Sequence, residues 1–183
     1  MFILHSLLTI LWPKICISCK NEGTHLCEDC LATISPNKEV FSHNSPSLTG
    51  LLSATSIKEP LIQKALAHYK NPPFLRDLSS QFAFLIISHV LNSHNEKLLN
   101  NSVLLPISVP KKEQRRRGFN HIKEITKQLS SSLNIPIVSI KELPNKRILL
   151  VDDIYDTGER MEDMASKLKK QGAQDIWGMV IAR

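Results

Sequence analysis

Three stretches of this 183-residue chain combine residue types and spacings that can do chemistry. The first reads Ile148-Leu-Leu-Val-Asp152-Asp153-Ile-Tyr-Asp156-Thr157-Gly158-Glu159-Arg160. Its aliphatic run delivers two adjacent carboxylates at what reads as the end of a buried strand, and Thr157-Gly158 then opens a helix. Backbone N–H groups at a helix N-terminus, the Thr157 hydroxyl and the missing side chain at Gly158 suit a phosphate monoester. Paired carboxylates suit vicinal hydroxyls or a hydrated magnesium ion. A phosphate held a sugar's length from hydroxyl acceptors describes a phosphorylated ribose. A phospho-acceptor receiver domain would instead place its acidic pair on an early strand with a later Lys, and a dehalogenase-type nucleophile needs Asp-x-Asp-x-Thr. A turn without function would require the aliphatic, acidic and Thr-Gly parts to coincide by accident.

The second stretch holds all four cysteines, as Cys16-x-x-Cys19 and Cys27-x-x-Cys30. Each Cys-x-x-Cys forms a tight turn presenting two thiolates on one side, and two such turns close a tetrahedral four-sulfur site for structural zinc. Disulfides compete with this reading in an oxidising compartment, and a redox Cys-x-x-Cys would normally come singly at a helix start. His25 is a spare ligand that the site does not need. Four thiolates leave no open position for water, so such a metal would fold the segment rather than catalyse.

The third is Lys111-Lys112-Glu-Gln-Arg115-Arg116-Arg117, which carries +4 of the formal net charge of +6. A concentrated cationic segment points to an anionic partner such as pyrophosphate or nucleic acid, against the alternative of a merely solvated loop. A zinc ion on four thiolates would bring the total to +4, leaving a near-neutral scaffold around one cationic segment.

These stretches need a frame. At 42% hydrophobic residues with 6 Gly and 10 Pro, the chain is neither disordered nor collagen-like, and it is long enough to bury a core. The apolar start, residues 1–13, reads as a short helix ended by Pro13. It lacks the preceding basic residues and cleavage site of a signal peptide and is too short to span a bilayer, so a cytoplasmic protein without a membrane span is expected. Polar residues 35–47 read as a linker, which divides the chain into a knuckle over 1–46 and a larger domain over 47–183.

In the larger unit, strands are expected at 48–57, 103–107, 135–140, 147–151 and 175–182. Helices are expected from Pro60 to the Asn71-Pro72-Pro73 stop, from about Phe74 to Leu91, from Phe119 to Ser132 and from Thr157 to Gln171. Lys111–Arg117 is expected as a loop, and His68, His89 and His94 as structural. Apolar strands alternating with helices argue for an α/β fold with a parallel sheet covered on both faces, whose ligands bind beyond the carboxyl ends of the strands. The basic segment after Ile107 and the acidic one after Val151 both follow such ends.

With these residues in place, the acidic stretch resembles the phosphoribosyl pyrophosphate (PRPP) motif of type I phosphoribosyltransferases. The whole chain resembles the ComF family of competence proteins, through the double Cys-x-x-Cys, Leu105-Pro-Ile-Ser-Val-Pro110, Arg117-Gly-Phe-Asn120 and the PRPP motif in that order. The resemblance implies a phosphoribosyltransferase-like fold with a small zinc-binding appendage and a role in DNA uptake during natural transformation. It implies that Asp152 and Asp153 engage the ribose hydroxyls and the magnesium shell, that Asp156, Thr157, Gly158, Glu159 and Arg160 wrap the 5′-phosphate, and that Ile107, Ser108 and Val109 approach the pyrophosphate. Lys111, Lys112, Arg115, Arg116 and Arg117 would neutralise that pyrophosphate or hold single-stranded DNA, and Asp156 is a candidate general base. Expected partners are PRPP, single-stranded DNA and competence proteins such as a DNA translocase.

Three departures from the family pattern stand out. Glu159 and Arg160 replace small or hydroxylated residues, so Glu159 must turn outward. His121 stands where Gln is common. Only residues 141–146 remain where related chains carry a loop that closes over PRPP, which favours binding over efficient transfer. The alternative is a DNA-binding module without transferase activity. Aromatics make up only 5% of the chain and none interrupts the basic run, so its affinity would be mainly electrostatic.

Overall fold

The computed structural model describes all residues except 1–12, 38, 39, 41–44 and 141–145. The helix expected before Pro13 and most of the shortened cover at 141–146 lie outside the described residues.

Four parallel strands, β1 (Gly50–Thr55), β2 (Ser102–Pro106), β3 (Arg147–Val151) and β4 (Ile176–Ala182), form one sheet in the order β1-β4-β3-β2. Gly50 faces Trp177, Ile148 faces Ile176, and Val103 faces Ile148 in register. The strands are buried on both faces, which is why they read as aliphatic runs rather than as alternating patterns. Leu52, Leu104, Leu149 and Met179 project to one side, and Leu51, Leu105, Leu150 and Val180 to the other.

Helices α2 (Pro60–Lys70), α3 (Leu78–Asn92) and α5 (His121–Leu133) supply Leu66, Phe82, Ile86 and Ile125 to the first face. Helix α6 (Glu159–Lys170) covers the second with Met161, Ala165 and Leu168. Asn120 caps α5, its side chain accepting from the N–H of Lys123 at 3.0 Å, a cap worth about 1 kcal/mol.

The cysteine-bearing segment, with its short helix α1 (Glu28–Ala32), does not stand apart from this core. Cys16, Ile17, Leu26, Cys30, Leu31 and Ile34 belong to the same apolar cluster as α3 and the first face of the sheet. The start of the expected linker lies along the outer edge of β1, where the N–H of Asn37 donates to Ala54 and the hydroxyl of Thr55 donates to the carbonyl of Ser35. No described helix is long and apolar enough to cross a membrane.

Three expectations are corrected. Residues Lys111–Arg117 are not a loop but a helix, α4, entered at Pro110 and stopped by Gly118 at φ +75°. The sequence shows no apolar period because the helix has no apolar residue to bury. The strand expected at 135–140 shrinks to one parallel bridge, Leu104 to Ile137, flanked by two backbone hydrogen bonds of 2.9 Å. Pro136 offers no N–H to extend the ladder. Helix α3 begins at Leu78 rather than near Phe74, because Phe74 (φ +56°) and Leu75 turn back to bond the carbonyls of Asn71 and His68.

Candidate functional site

The carboxyl end of β3 opens into a cavity of about 320 Å³ lined by Lys70 and residues 152–161. The acidic pair, Asp156, Thr157, Gly158, Glu159 and Arg160 therefore share one wall. Asp156 and Thr157 are exposed, and Glu159 and Arg160 are exposed on the first turn of α6. Gly158 caps that helix at φ +81°, and a Cβ there would run into the Tyr155 ring. The position thus needs glycine for both its conformation and its space. The N–H groups of Asp156, Thr157 and Gly158 make no hydrogen bond to any described residue. This is the donor set an anion at a helix N-terminus requires.

The two carboxylates differ sharply. Asp152 is 2% exposed; it accepts from the N–H of Asp153 at 2.9 Å, and its outer oxygen lies 3.6 Å from the Arg160 guanidinium. Burial, reinforced by the neighbouring Asp153 charge, pushes its carboxyl up to about 7. Asp153 is 1% exposed, and its Oδ2 lies 2.7 Å from Lys70 Nζ and 3.1 Å from His121 Nε2, close polar contacts that are not aligned as strict hydrogen bonds. Burial works against this charge, but His121 and Lys70 outweigh it and hold the carboxyl well below the usual carboxylate range.

Of the loop after β2, the side chains of Ile107 and Val109 are buried, one in each apolar cluster, and Ser108 stands exposed between them. The N–H of Ile107 bonds the carbonyl of Val151 at 2.9 Å, which ties this loop to the residue before the acidic pair. The basic segment is divided. Lys111, Lys112, Arg115 and Arg116 are exposed. The Arg117 side chain is 6% exposed and turned inward, with Nε on the carbonyl of Lys70 at 3.1 Å, Nη1 on His121 and Nη2 on Glu113.

Lys70 and His121 escaped notice as site residues in the sequence. Lys70 looks like an ordinary last-turn lysine before Asn-Pro-Pro, and His121 like a neutral replacement for Gln. The signal that was available is positional, since both lie next to segments already singled out.

In the N-terminal segment the four cysteine sulfurs all lie within 4.8 Å of one another, with Cys19 and Cys27 at 3.5 Å. A disulfide needs about 2.05 Å, whereas sulfurs around tetrahedral zinc sit about 3.8 Å apart, given bonds of about 2.3 Å. The cluster therefore fits a metal such as zinc. Although burial opposes it, backbone N–H groups of Cys27, Cys19 and Ser18 bring the Cys16 thiol down to about 6. His25 is not part of the cluster.

The chain is 24% identical over 149 residues to Competence protein F of Haemophilus influenzae, an alignment covering 62% of this chain and 64% of that protein. The match thus spans less than two thirds of the relative's length. Residues 73–182, from the turn before α3 through β4, match the phosphoribosyl transferase domain, and the chain belongs to that family.

Proposed function

We propose that this chain binds PRPP with magnesium at the carboxyl end of β3 and, as a ComF-like protein, acts in DNA uptake during natural transformation. The observation that carries the reading is the cavity at Asp152–Arg160, where N–H groups at the start of α6 that bond no described residue meet a carboxylate at the end of β3. The 5′-phosphate would lie on the Thr157–Gly158 turn, with Arg160 beside it, and the ribose hydroxyls toward Asp152. The pyrophosphate would lie toward Lys70, which lines the same cavity, and toward Ser108 in the loop after β2. If transfer occurs, an acceptor nucleophile bonds to ribose C1 as the C1–O bond to pyrophosphate breaks and the bonding pair leaves with pyrophosphate. Asp152 would help to hold the magnesium, whose chemistry there would be to neutralise charge on that leaving group. Asp156, exposed on the cavity wall, would accept a proton from the acceptor. The cysteine cluster would hold one structural zinc.

Calorimetry with PRPP and magnesium tests the site. Binding by wild type that is lost in Asp152→Asn is expected, and equal binding by both, or none by either, rejects the reading. Pyrophosphate release with candidate acceptors decides separately whether transfer follows.

The second reading, a single-stranded DNA module, is favoured by the four exposed cations of α4. The two readings coexist if α4 holds a strand while the cavity holds PRPP.

A further inference from the structure

We propose that His121 is a positioning residue that fastens helix α4 to the acidic strand end, making Asp153 the internal anchor of the 152–160 loop and Asp152 its ligand-facing member. The functional half of this proposal rests on the PRPP reading above.

The contacts of the ring differ in kind. Arg117 Nη1 lies 2.8 Å from Nδ1 of His121 and 3.4 Å from Nε2, which places the guanidinium over the face of the imidazole. At the edge of the ring, Nε2 lies 3.1 Å from Asp153 Oδ2. An ionised carboxylate only accepts, so Nε2 carries a proton toward it. Arg117, His121 and Asp153 thus form a relay of contacts from α4 to the strand end.

The same groups are braced from outside the relay. The Tyr69 hydroxyl donates to the carbonyl of His121 at 2.7 Å, and Arg117 Nε holds the carbonyl of Lys70, whose own ammonium reaches Asp153. The remaining oxygen of Asp153 accepts the N–H of Ile154 at 2.8 Å. A ligand could take Asp153 only by stripping a buried carboxylate of Lys70 and His121 together, a costly step. Among the described residues, Asp152 has a half-exposed arginine 3.6 Å from its outer oxygen and no closer ion pair. The short α4 thus carries two kinds of cation: four exposed ones, and one inward strut whose position sets the loop that lines the cavity.

Substitutions separate this role from simple packing. Gln at 121 keeps a flat polar group under the Arg117 guanidinium and an N–H toward Asp153, so His121→Gln keeps both links; His121→Leu fills similar space and keeps neither. PRPP affinity with magnesium, measured by calorimetry on the full chain, is expected to fall about tenfold or more in His121→Leu, the range of ordinary coupling energies. It should stay close to wild type in His121→Gln. In an Asp153→Asn background, His121→Leu should add nothing further. Unchanged affinity in a folded His121→Leu, or equal losses in the Leu and Gln variants, overturns the proposal.

Long-range proton–nitrogen NMR of the imidazole ring provides a readout independent of PRPP. A proton on Nε2 is expected, and a ring protonated at Nδ1 alone overturns the relay. Wild type that fails to bind PRPP but shows the Nε2–H ring sinks the ligand assignment and leaves the link standing. Should His121→Leu not fold, Arg117→Lys carries the test, since its ammonium cannot hold the Lys70 carbonyl and His121 together.

Discussion

Replacing Lys70 by Met removes a charge while nearly conserving the shape of the side chain, and it isolates the ion pair under the cavity. Two unit charges 2.7 Å apart attract by about 6 kcal/mol at an effective dielectric constant of about 20, before desolvation is counted. Deleting one partner of a buried pair typically costs about 3–5 kcal/mol, because the other charge stays buried. Lys70 is 25% exposed, so water already screens part of the attraction, and the lower end of about 3 kcal/mol is expected. For a chain of this size that lowers the melting temperature by roughly 6–12 °C.

The deficit has a defined pH dependence. Asp153 has its folded-state carboxyl held below its ordinary value, so its contribution to stability is present above the unfolded carboxyl range and is lost as pH falls through the folded one. Without Lys70 the carboxyl protonates at higher pH, so the gap between variant and wild type is widest near neutrality and narrows in acid. Urea unfolding followed by circular dichroism at neutral and acidic pH measures both quantities. A Lys70→Met protein within about 1 kcal/mol of wild type at neutral pH, or a gap that widens in acid, refutes this account of how Asp153 is held.

Gly158→Ala forces a Cβ into a left-handed position that costs about 1–2 kcal/mol and pushes on Tyr155; PRPP binding should vanish while the far-ultraviolet spectrum persists, and retained binding would mean the Thr157–Gly158 turn does not hold the phosphate. Elemental analysis should find one zinc per chain. Chelation should lower the melting temperature sharply because Cys16 and Cys30 are part of the main apolar cluster, and a metal-free protein of unchanged stability refutes the knuckle. For single-stranded DNA, neutralising Arg115 and Arg116 together should make the log–log salt slope shallower by about 1.4, whereas Arg117→Lys should leave it unchanged; the reverse ranking would move the strand off the exposed face of α4.

The sequence was most legible where burial and chemistry coincide. Ile148–Val151 reads as a strand because a doubly covered strand favours apolar residues, and Asp152-Asp153 mark its end because two carboxylates interrupt that run. Helix α4 was illegible by its apolar pattern, having none. Its bounds were nonetheless written in Pro110 and Gly118, the residues that set the backbone at its two ends. The division of labour between the two aspartates was out of reach for a different reason. It depends on Lys70 at the end of one helix and His121 at the start of another, a meeting made by the tertiary packing of α2, α5 and the sheet and by no local spacing.

The order of the strands bears on how the chain comes to be folded at all. β4 lies between β1 and β3, so Gly50 waits for a neighbour, Trp177, that is made more than a hundred residues later. Until then β1 has no hydrogen-bonded partner within the sheet, and the aliphatic faces of β2 and β3 form only half of their eventual surface. A parallel arrangement closed by its latest central strand concentrates the loop-closure cost in one final event. During synthesis the growing chain therefore exposes sticky, unpaired edges for a long interval, and its yield in cells should respond to chaperone supply more strongly than the stability of the finished protein would suggest.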